Sequence, residues 1–490
     1  MKYTYSAEKL PEVICEAHPE WVDIYNAAWK TVFKNIEYPS GKGWLPQIAC
    51  IPGSYYTWQW DSCFMTFMTR YSNGSISAMN NLDNLYRLQR EDGYMSMAYV
   101  KASEEPAFGE RINPPIFAWA EWEYFLMSGD DSRFLKIMPR LVNYYQWIKS
   151  NRRRVNGLYW FEDCGSSGMD NSPRSGYHAA NLAGSDVCFI DLSCQQALSA
   201  LYIAKIAARL GNEEAANLFR KEHRELAELI NKEHWCERHG FYFDLFARDA
   251  AGKKCNYIGC KTAAAFWTIL SEVASEEQVR RLVEHLVNPE EFMTLHPIPS
   301  LSKDDPNYEP LGEYWLGGVW PPINYMLVKG LSQRNYEYLA REIAVKHLEA
   351  MVNVMVTDRT CASIWECYSP EFMRPSTYKD LGVVRPDYVG WSGLGPIAML
   401  MENIFGFEFD AVNNCITWNI GTVGKHGVKN LLFNNRKVSL IMDKWSSNKG
   451  KSRICVETSD IIQLKLKYLG RPEYTGNRYS LEPGKHNICT

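Results

Sequence analysis

Two stretches far apart in the chain each offer a carboxylate in a setting suited to chemistry. The first is Ser167-Gly168-Met169-Asp170-Asn171-Ser172-Pro173-Arg174, and the second is Ile364-Trp365-Glu366-Cys367-Tyr368-Ser369-Pro370-Glu371. Both are Pro-bearing loop signatures beside Gly or aromatic residues, not faces of amphipathic helices. One Asp and one Glu on separate rigid loops is the minimum set for cutting a glycosidic bond, one carboxyl donating a proton and the other activating water or attacking the sugar. A donor acid must hold its proton near neutrality. Burial favours that state, and a paired Arg such as Arg174 opposes it. The competing readings are plain ones: Asp170 as an Asx-turn residue and Glu366 as a surface residue.

Aromatic side chains are the compositional anomaly: 17 Trp, 29 Tyr and 20 Phe make up 13% of 490 residues. Most belong in the core by default, but several cluster in loops beside acids, where flat rings can stack on sugar C–H faces. Trp58 and Trp60 bracket Gln59, and Asp61 stands where a helix should begin. Asp61 is therefore either a helix cap or an acceptor for vicinal hydroxyls. Gln89 and Asp92 form a further polar cluster past a helix end, and Trp315, Trp320 and Asn324 crowd a Gly- and Pro-rich turn. Trp365, Tyr368 and Trp391 add aromatic wall near Glu366.

Composition excludes several classes. The charge is −4, so no basic surface points to nucleic acid or an anionic membrane. No apolar run approaches bilayer-spanning length, and residues 1–13 lack a signal-peptide core. Fourteen Cys without a CxxC pair suit reduced, buried thiols and a cytoplasmic location, the alternative being an exported protein expressed without its leader. GxGxxG, HExxH and GxSxG motifs are all missing. Neither a cofactor nor a metal is expected, and the expected partner is a small carbohydrate.

The frame is mainly helical. Apolar periodicity marks twelve segments: 18–36, 61–72, 75–90, 113–128, 131–150, 186–210, 212–235, 259–274, 276–288, 320–332, 335–356 and 391–405. Long loops rich in Gly, Pro, Trp and Asp alternate with short turns, the rhythm of helix pairs whose long loops collect at one end. Six such pairs would close into an (α/α)6 barrel over residues 1–408, with loops 52–64, 163–178, 313–322 and 360–371 on one rim. After Phe409 the period becomes two, as where Ile462, Leu464, Leu466 and Tyr468 alternate with Gln463, Lys465 and Lys467. Residues 409–490 therefore read as a small antiparallel β domain.

Taken together, Trp60-Asp61-Ser62, the Ser167–Arg174 stretch, Gly318-Val319-Trp320-Pro321-Pro322-Ile323-Asn324-Tyr325, Trp365-Glu366 and Gly390-Trp391-Ser392-Gly393 resemble the signature loops of clan G glycoside hydrolases. Nearest are glycoside hydrolase family 63 and the mannosylglycerate hydrolase-like group. The resemblance implies an (α/α)6 barrel and an inverting, exo-acting α-glycosidase of a small glucoside or mannoside, with Asp170 as general acid, Glu366 as general base, and Trp60 and Asp61 in the sugar pocket. Cys367-Tyr368-Ser369 departs from relatives that carry Asn-Tyr-Asn or Tyr-His before the Pro, which leaves the aglycone open. Trehalase-like hydrolysis and phosphorolysis are the enzyme alternatives, the latter betrayed by phosphate dependence. A silent sugar-binding protein is the alternative from another class.

Overall fold

A computed structural model gives the fold and describes residues 2–41, 43–175, 186–247, 257–357, 363–379, 382–444, 453–470 and 476–489. Residues 176–178 and 360–362 of the expected rim loops lie outside the described residues. Each of the twelve periodic segments contains a helix: α1 Pro19–Lys34, α2 Gln59–Thr69, α3 Asn80–Arg87, α4 Phe117–Ser128, α5 Ser132–Asn151, α6 Ile190–Arg209, α7 Glu213–Glu233, α8 Trp267–Leu270, α9 Glu276–Leu286, α10 Pro321–Gln333, α11 Glu337–Thr357 and α12 Gly395–Ile404. Their starts follow local chemistry. The Asn212 side chain accepts from the Ala215 N–H to begin α7, Ser275 and Gln278 make a reciprocal capping box on α9, and Pro321 stands in the first turn of α10. Helix α12 is wound wide, and the Phe405 N–H bonds Leu400 O five residues back.

Burial separates two classes of helix. Every residue of α2 is buried, as are nearly all of α6 and α10, whereas α7 buries only Ala216, Phe219, Leu226 and Ile230. A helix apolar all round belongs inside and an amphipathic one outside. Accordingly α2 packs on α4, α4 on α6, α6 on α8, α8 on α10, α10 on α12, and α12 back on α2, with α3, α5, α7 and α11 laid outside.

Besides four two-stranded pairs, the strands of the described residues form two larger sheets that meet where Phe409 and Trp418 of one touch Phe433 and His426 of the other. The four-stranded sheet runs 407–410, 415–420, 462–468, 477–481, and the pair 415–420/462–468 is parallel, unlike the all-antiparallel expectation. The five-stranded sheet is antiparallel throughout and takes its edge strand from Glu12–Cys15, paired with 426–433. Both sheets meet the C-terminal end of α4. There the N–H groups of Ala411 and Asn434 satisfy the terminal carbonyls of Leu126 and Met127 on α4.

Candidate active site

Helix α2 begins directly after a strand, Tyr56–Trp58, that pairs with Ala98–Val100. Trp58 is thus the residue before the helix, and Trp60 and Asp61 fall in its first turn. Asp61 does not cap α2. Its Oδ1 lies 2.6 Å from the Cys50 sulfur, in a fully buried position. The Trp60 indole packs edge-on to Trp391, and Trp58 stacks on Phe108.

The Asp170 loop closes over this platform. Gly168 adopts φ +80°, and a Cβ there would lie 2.3 Å from the Trp60 ring, so only glycine lets the loop descend so far. Asn171 locks the loop to the next segment: its amide donates to Glu313 O at 2.9 Å, and its Oδ1 accepts from the Trp315 N–H at 2.8 Å. Glu313 and Tyr314 both have positive φ, which turns the Tyr314 side chain so that its hydroxyl donates to Glu366 Oε1 at 3.0 Å.

Asp170 and Glu366 line one cavity of ≈ 310 Å³ together with Trp58, Trp60, Asp61, Trp315 and Trp391. The two acids differ in their surroundings. Glu366 is almost wholly buried, and the guanidinium of Arg385 lies 2.9 Å from both of its oxygens. Burial raises the Glu366 carboxyl, and Arg385 and the Tyr314 hydroxyl pull it back down. Asp170 opens onto the cavity without such a partner. Its side chain is exposed at the cavity surface, yet partial desolvation by the surrounding walls and the negative charges of Glu366 and Asp163 push it up to about 6, against lowering by Arg385 and a backbone N–H. Asp61 goes higher, to about 7, through burial and the two neighbouring acids, against the Cys50 hydrogen bond that favours its ionised form.

The other residues singled out in the sequence lie outside the cavity lining. Arg174 is fully buried and grips both Asp191 and Asp244 through bonds of 2.6–2.9 Å, anchoring the Asp170 loop to the start of α6 rather than facing a ligand. Trp320 stacks behind Trp315 at 3.9 Å, with its indole N–H on Tyr314 O. Asn324 accepts from the Ile298 N–H and donates to Pro297 O. The Tyr368 hydroxyl accepts from the Trp365 N–H, and both residues are buried. The Gln89 amide donates to Gly93 O and Arg140 O, and Asp92 pairs with Arg90 on the surface.

Conversely, the cavity wall includes Arg385, Arg111, Tyr378, Tyr388, Cys50 and Asn113, none of which sequence reasoning assigned a role. Arg385, Arg111, Tyr378 and Cys50 were marked only by membership of the long loops, Tyr388 by its place beside Trp391, and Asn113 by none, since it opens the expected helix 113–128. Arg111 carries a half-exposed side chain paired with Asp163 at 2.7 Å. The indole nitrogen of Trp58 and Oδ1 of Asn113 are buried polar atoms without a protein partner, free to meet hydroxyls. Among the described residues, no group of three or more His, Cys, Asp or Glu side chains converges as a metal site. A larger cavity of ≈ 680 Å³ lies at the other end of the same helices, and four of its charges, Arg70 and Lys329 with Glu123 and Glu402, pair with one another.

This geometry can be set beside known proteins. Residues 54–375 match the family described as mannosylglycerate hydrolase MGH1-like glycoside hydrolase domain. An uncharacterised protein of Borreliella burgdorferi is 27% identical over 474 residues, covering 92% of this chain and 95% of that protein. The probable mannosyl-oligosaccharide glucosidase of Schizosaccharomyces pombe is 23% identical over 297 residues, 55% of this chain and 35% of its own length. Among solved structures, the GH63 mannosylglycerate hydrolase of Thermus thermophilus in complex with glucose superposes with a TM-score of 0.62 at 18% identity, covering 76% of this chain and 98% of that one, and so shares the fold. The family match spans most of the chain and the cavity lining apart from Cys50, Ile51, Tyr378, Arg385, Tyr388 and Trp391; the chain belongs to the mannosylglycerate hydrolase MGH1-like glycoside hydrolases.

Proposed function

We propose that this protein is an inverting, exo-acting hydrolase of a small α-glucoside or α-mannoside, with Asp170 as general acid and Glu366 as general base. One observation carries the assignment: two carboxyls in a single cavity, both raised by burial, of which only Glu366 has a guanidinium and a phenol hydroxyl bonded to it that pull it back toward the anion. Asp170, lining the cavity beside the Glu366 charge and without a cation of its own, keeps a proton for the leaving oxygen. Glu366, held by Arg385 and Tyr314, is steadied as the anion that draws a proton from water. Asp61 and the indoles of Trp58, Trp60, Trp315 and Trp391 receive the non-reducing sugar, and a cavity of ≈ 310 Å³ suits a small glycoside rather than a long chain. We take the ring of α2, α4, α6, α8, α10 and α12 with its outer helices as an (α/α)6 barrel within residues 1–408, and residues 409–490 as the second domain.

Arg111 favours one choice among substrates. A half-exposed guanidinium on the cavity wall, which would exchange its Asp163 partner for a substrate carboxylate, makes an α-mannosyl or α-glucosyl glycerate the preferred substrate. The glucosidase of S. pombe and the hydrolase of T. thermophilus bracket that range by their names. Proton NMR of the first sugar released from an α-linked substrate tests the mechanism: inversion gives the β-anomer, and an initial α-anomer excludes it. A panel of α-linked disaccharides and glycosyl acids, with and without phosphate, tests the substrate.

A further inference from the structure

Cys50 lies on the cavity wall, where its sulfur joins two other groups. The sulfur is 2.6 Å from Asp61 Oδ1 and 2.7 Å from the Tyr388 hydroxyl. The thiol has a single proton and donates it to Asp61 Oδ1, which leaves the phenol to donate to sulfur. Tyr388 is itself held, its N–H on Ile364 O at 2.9 Å and its ring 5.0 Å from that of Trp391. The backbone has no slack either: a Cβ on Gly390 would lie 2.8 Å from Cys50 Cα and 3.1 Å from the sulfur.

We propose that Cys50 is a positioning residue, the middle of a Tyr388-to-Cys50-to-Asp61 relay of neutral donors that fixes the Asp61 carboxylate toward the sugar. The proposal rests on the assignment of Asp61 to sugar binding made above. Its logic is electrostatic. Asp61 shares the cavity with Asp170 and Glu366, while the cations in reach are engaged elsewhere, Arg385 on Glu366 and Arg111 on Asp163. An Arg or Lys beside Asp61 would hold it ionised, but would also favour the ionised form of Asp170 and strip the proton the leaving group needs. A thiol and a phenol orient Asp61 without adding charge. Burial and the neighbouring acids push the Cys50 thiol well above its usual range, so it remains a donor wherever the enzyme works.

The test compares wild type with Cys50→Ala, Cys50→Ser, Tyr388→Phe and Asp61→Asn. It uses para-nitrophenyl α-mannoside and α-glucoside for KM and kcat from acidic to mildly basic pH. Titration with free mannose and glucose gives Kd, and melting gives fold integrity. Cys50→Ala is expected to raise KM or Kd roughly tenfold, the scale of one lost hydrogen bond to a charged group, with a much smaller change in kcat. The acidic limb of kcat/KM, to which Asp61 and Glu366 both contribute, should move to higher pH, because Asp61 loses a donor that favours its ionised form. Cys50→Ser should restore most of the loss, and Tyr388→Phe should show a weaker version of it. Unchanged KM, Kd and pH profile in Cys50→Ala, or equal damage in Cys50→Ser, overturns the relay. Asp61→Asn separates the two levels: impaired Asp61→Asn beside normal Cys50→Ala rejects the relay alone, whereas normal Asp61→Asn rejects the sugar-binding assignment and the relay with it.

Discussion

Arg385 places one guanidinium nitrogen 2.9 Å from each oxygen of Glu366, and the Glu366 N–H in turn bonds Arg385 O at 3.0 Å. The ion pair offsets the burial that raises Glu366. Replacing the guanidinium by a neutral amide in Arg385→Gln removes the offset, so the base holds its proton to higher pH. The acidic limb of the kcat/KM profile should move up by roughly 1–2 pH units, with the largest rate loss on the acidic side. A profile that keeps its position while falling uniformly would assign Arg385 to substrate binding instead.

The two acids should respond differently to the leaving group. Asp170→Asn removes the donated proton, which is expected to cost about 10²–10⁴-fold on an ordinary glycoside and far less on a glycosyl fluoride. Glu366→Gln should impair both substrates alike, since water needs activation whatever departs. In the wild type the basic limb belongs to Asp170, and activity should fall as pH rises through about 6. A fluoride that rescues Glu366→Gln but not Asp170→Asn would exchange the roles.

Asp61 carries a stability cost that depends on pH. Its carboxyl is pushed up to about 7 in the fold, against about 3.9 in an unfolded chain. Between those values the folded form binds a proton the unfolded form does not, so its contribution to stability is complete below about pH 4 and lost as pH rises through 7. Asn needs no proton and still offers Cys50 an acceptor. Asp61→Asn is therefore expected to exceed wild type by roughly 2–4 kcal/mol above neutrality, with the gap closing toward acid. Melting curves of both proteins across pH decide it, and a gap that widens toward acid would contradict the burial account.

Arg174 and Trp320 should behave as frame. Arg174→Met leaves Asp191 and Asp244 buried without their shared cation, a loss of roughly 3–5 kcal/mol. Trp320→Ala removes the ring that backs Trp315, at a similar cost of about 3–5 kcal/mol. Denaturant midpoints should fall for both, with KM nearly unchanged in whatever folds. A raised KM at unaltered stability would put either side chain in contact with substrate.

Much of this frame was legible in the chain, because helical periodicity is local. All twelve helices lie where apolar residues recur at three- and four-residue steps, and the alternation at 462–468 is indeed a strand. What escaped depends on partners distant in sequence. Arg174 stands four residues from Asp170 and invites a pairing, yet its carboxylates are Asp191 and Asp244, 17 and 70 residues on. Arg385 and Cys50 sit in no motif, and their placement follows from how the loops fold over one another. Aromatic density located the cavity region, but it could not separate the rings facing the cavity, Trp58 and Trp315, from those behind it, Trp320 and Trp365.

The edge strand Glu12–Cys15 imposes a timetable on biosynthesis. Its register pairs Glu12 with Lys429, so the first strand translated waits for nearly the last part of the fold. At the usual ~5–20 residues per second the delay is roughly 20–80 s, long enough for the intervening helices to assemble on the ribosome. Throughout that interval Val13 and Cys15, both buried in the finished sheet, have no partner, and the nascent chain presents an open strand edge. A stalled or prematurely terminated product lacking residues 426–433 would keep that edge exposed, a handle by which chaperones or proteases could tell an unfinished chain from a complete one.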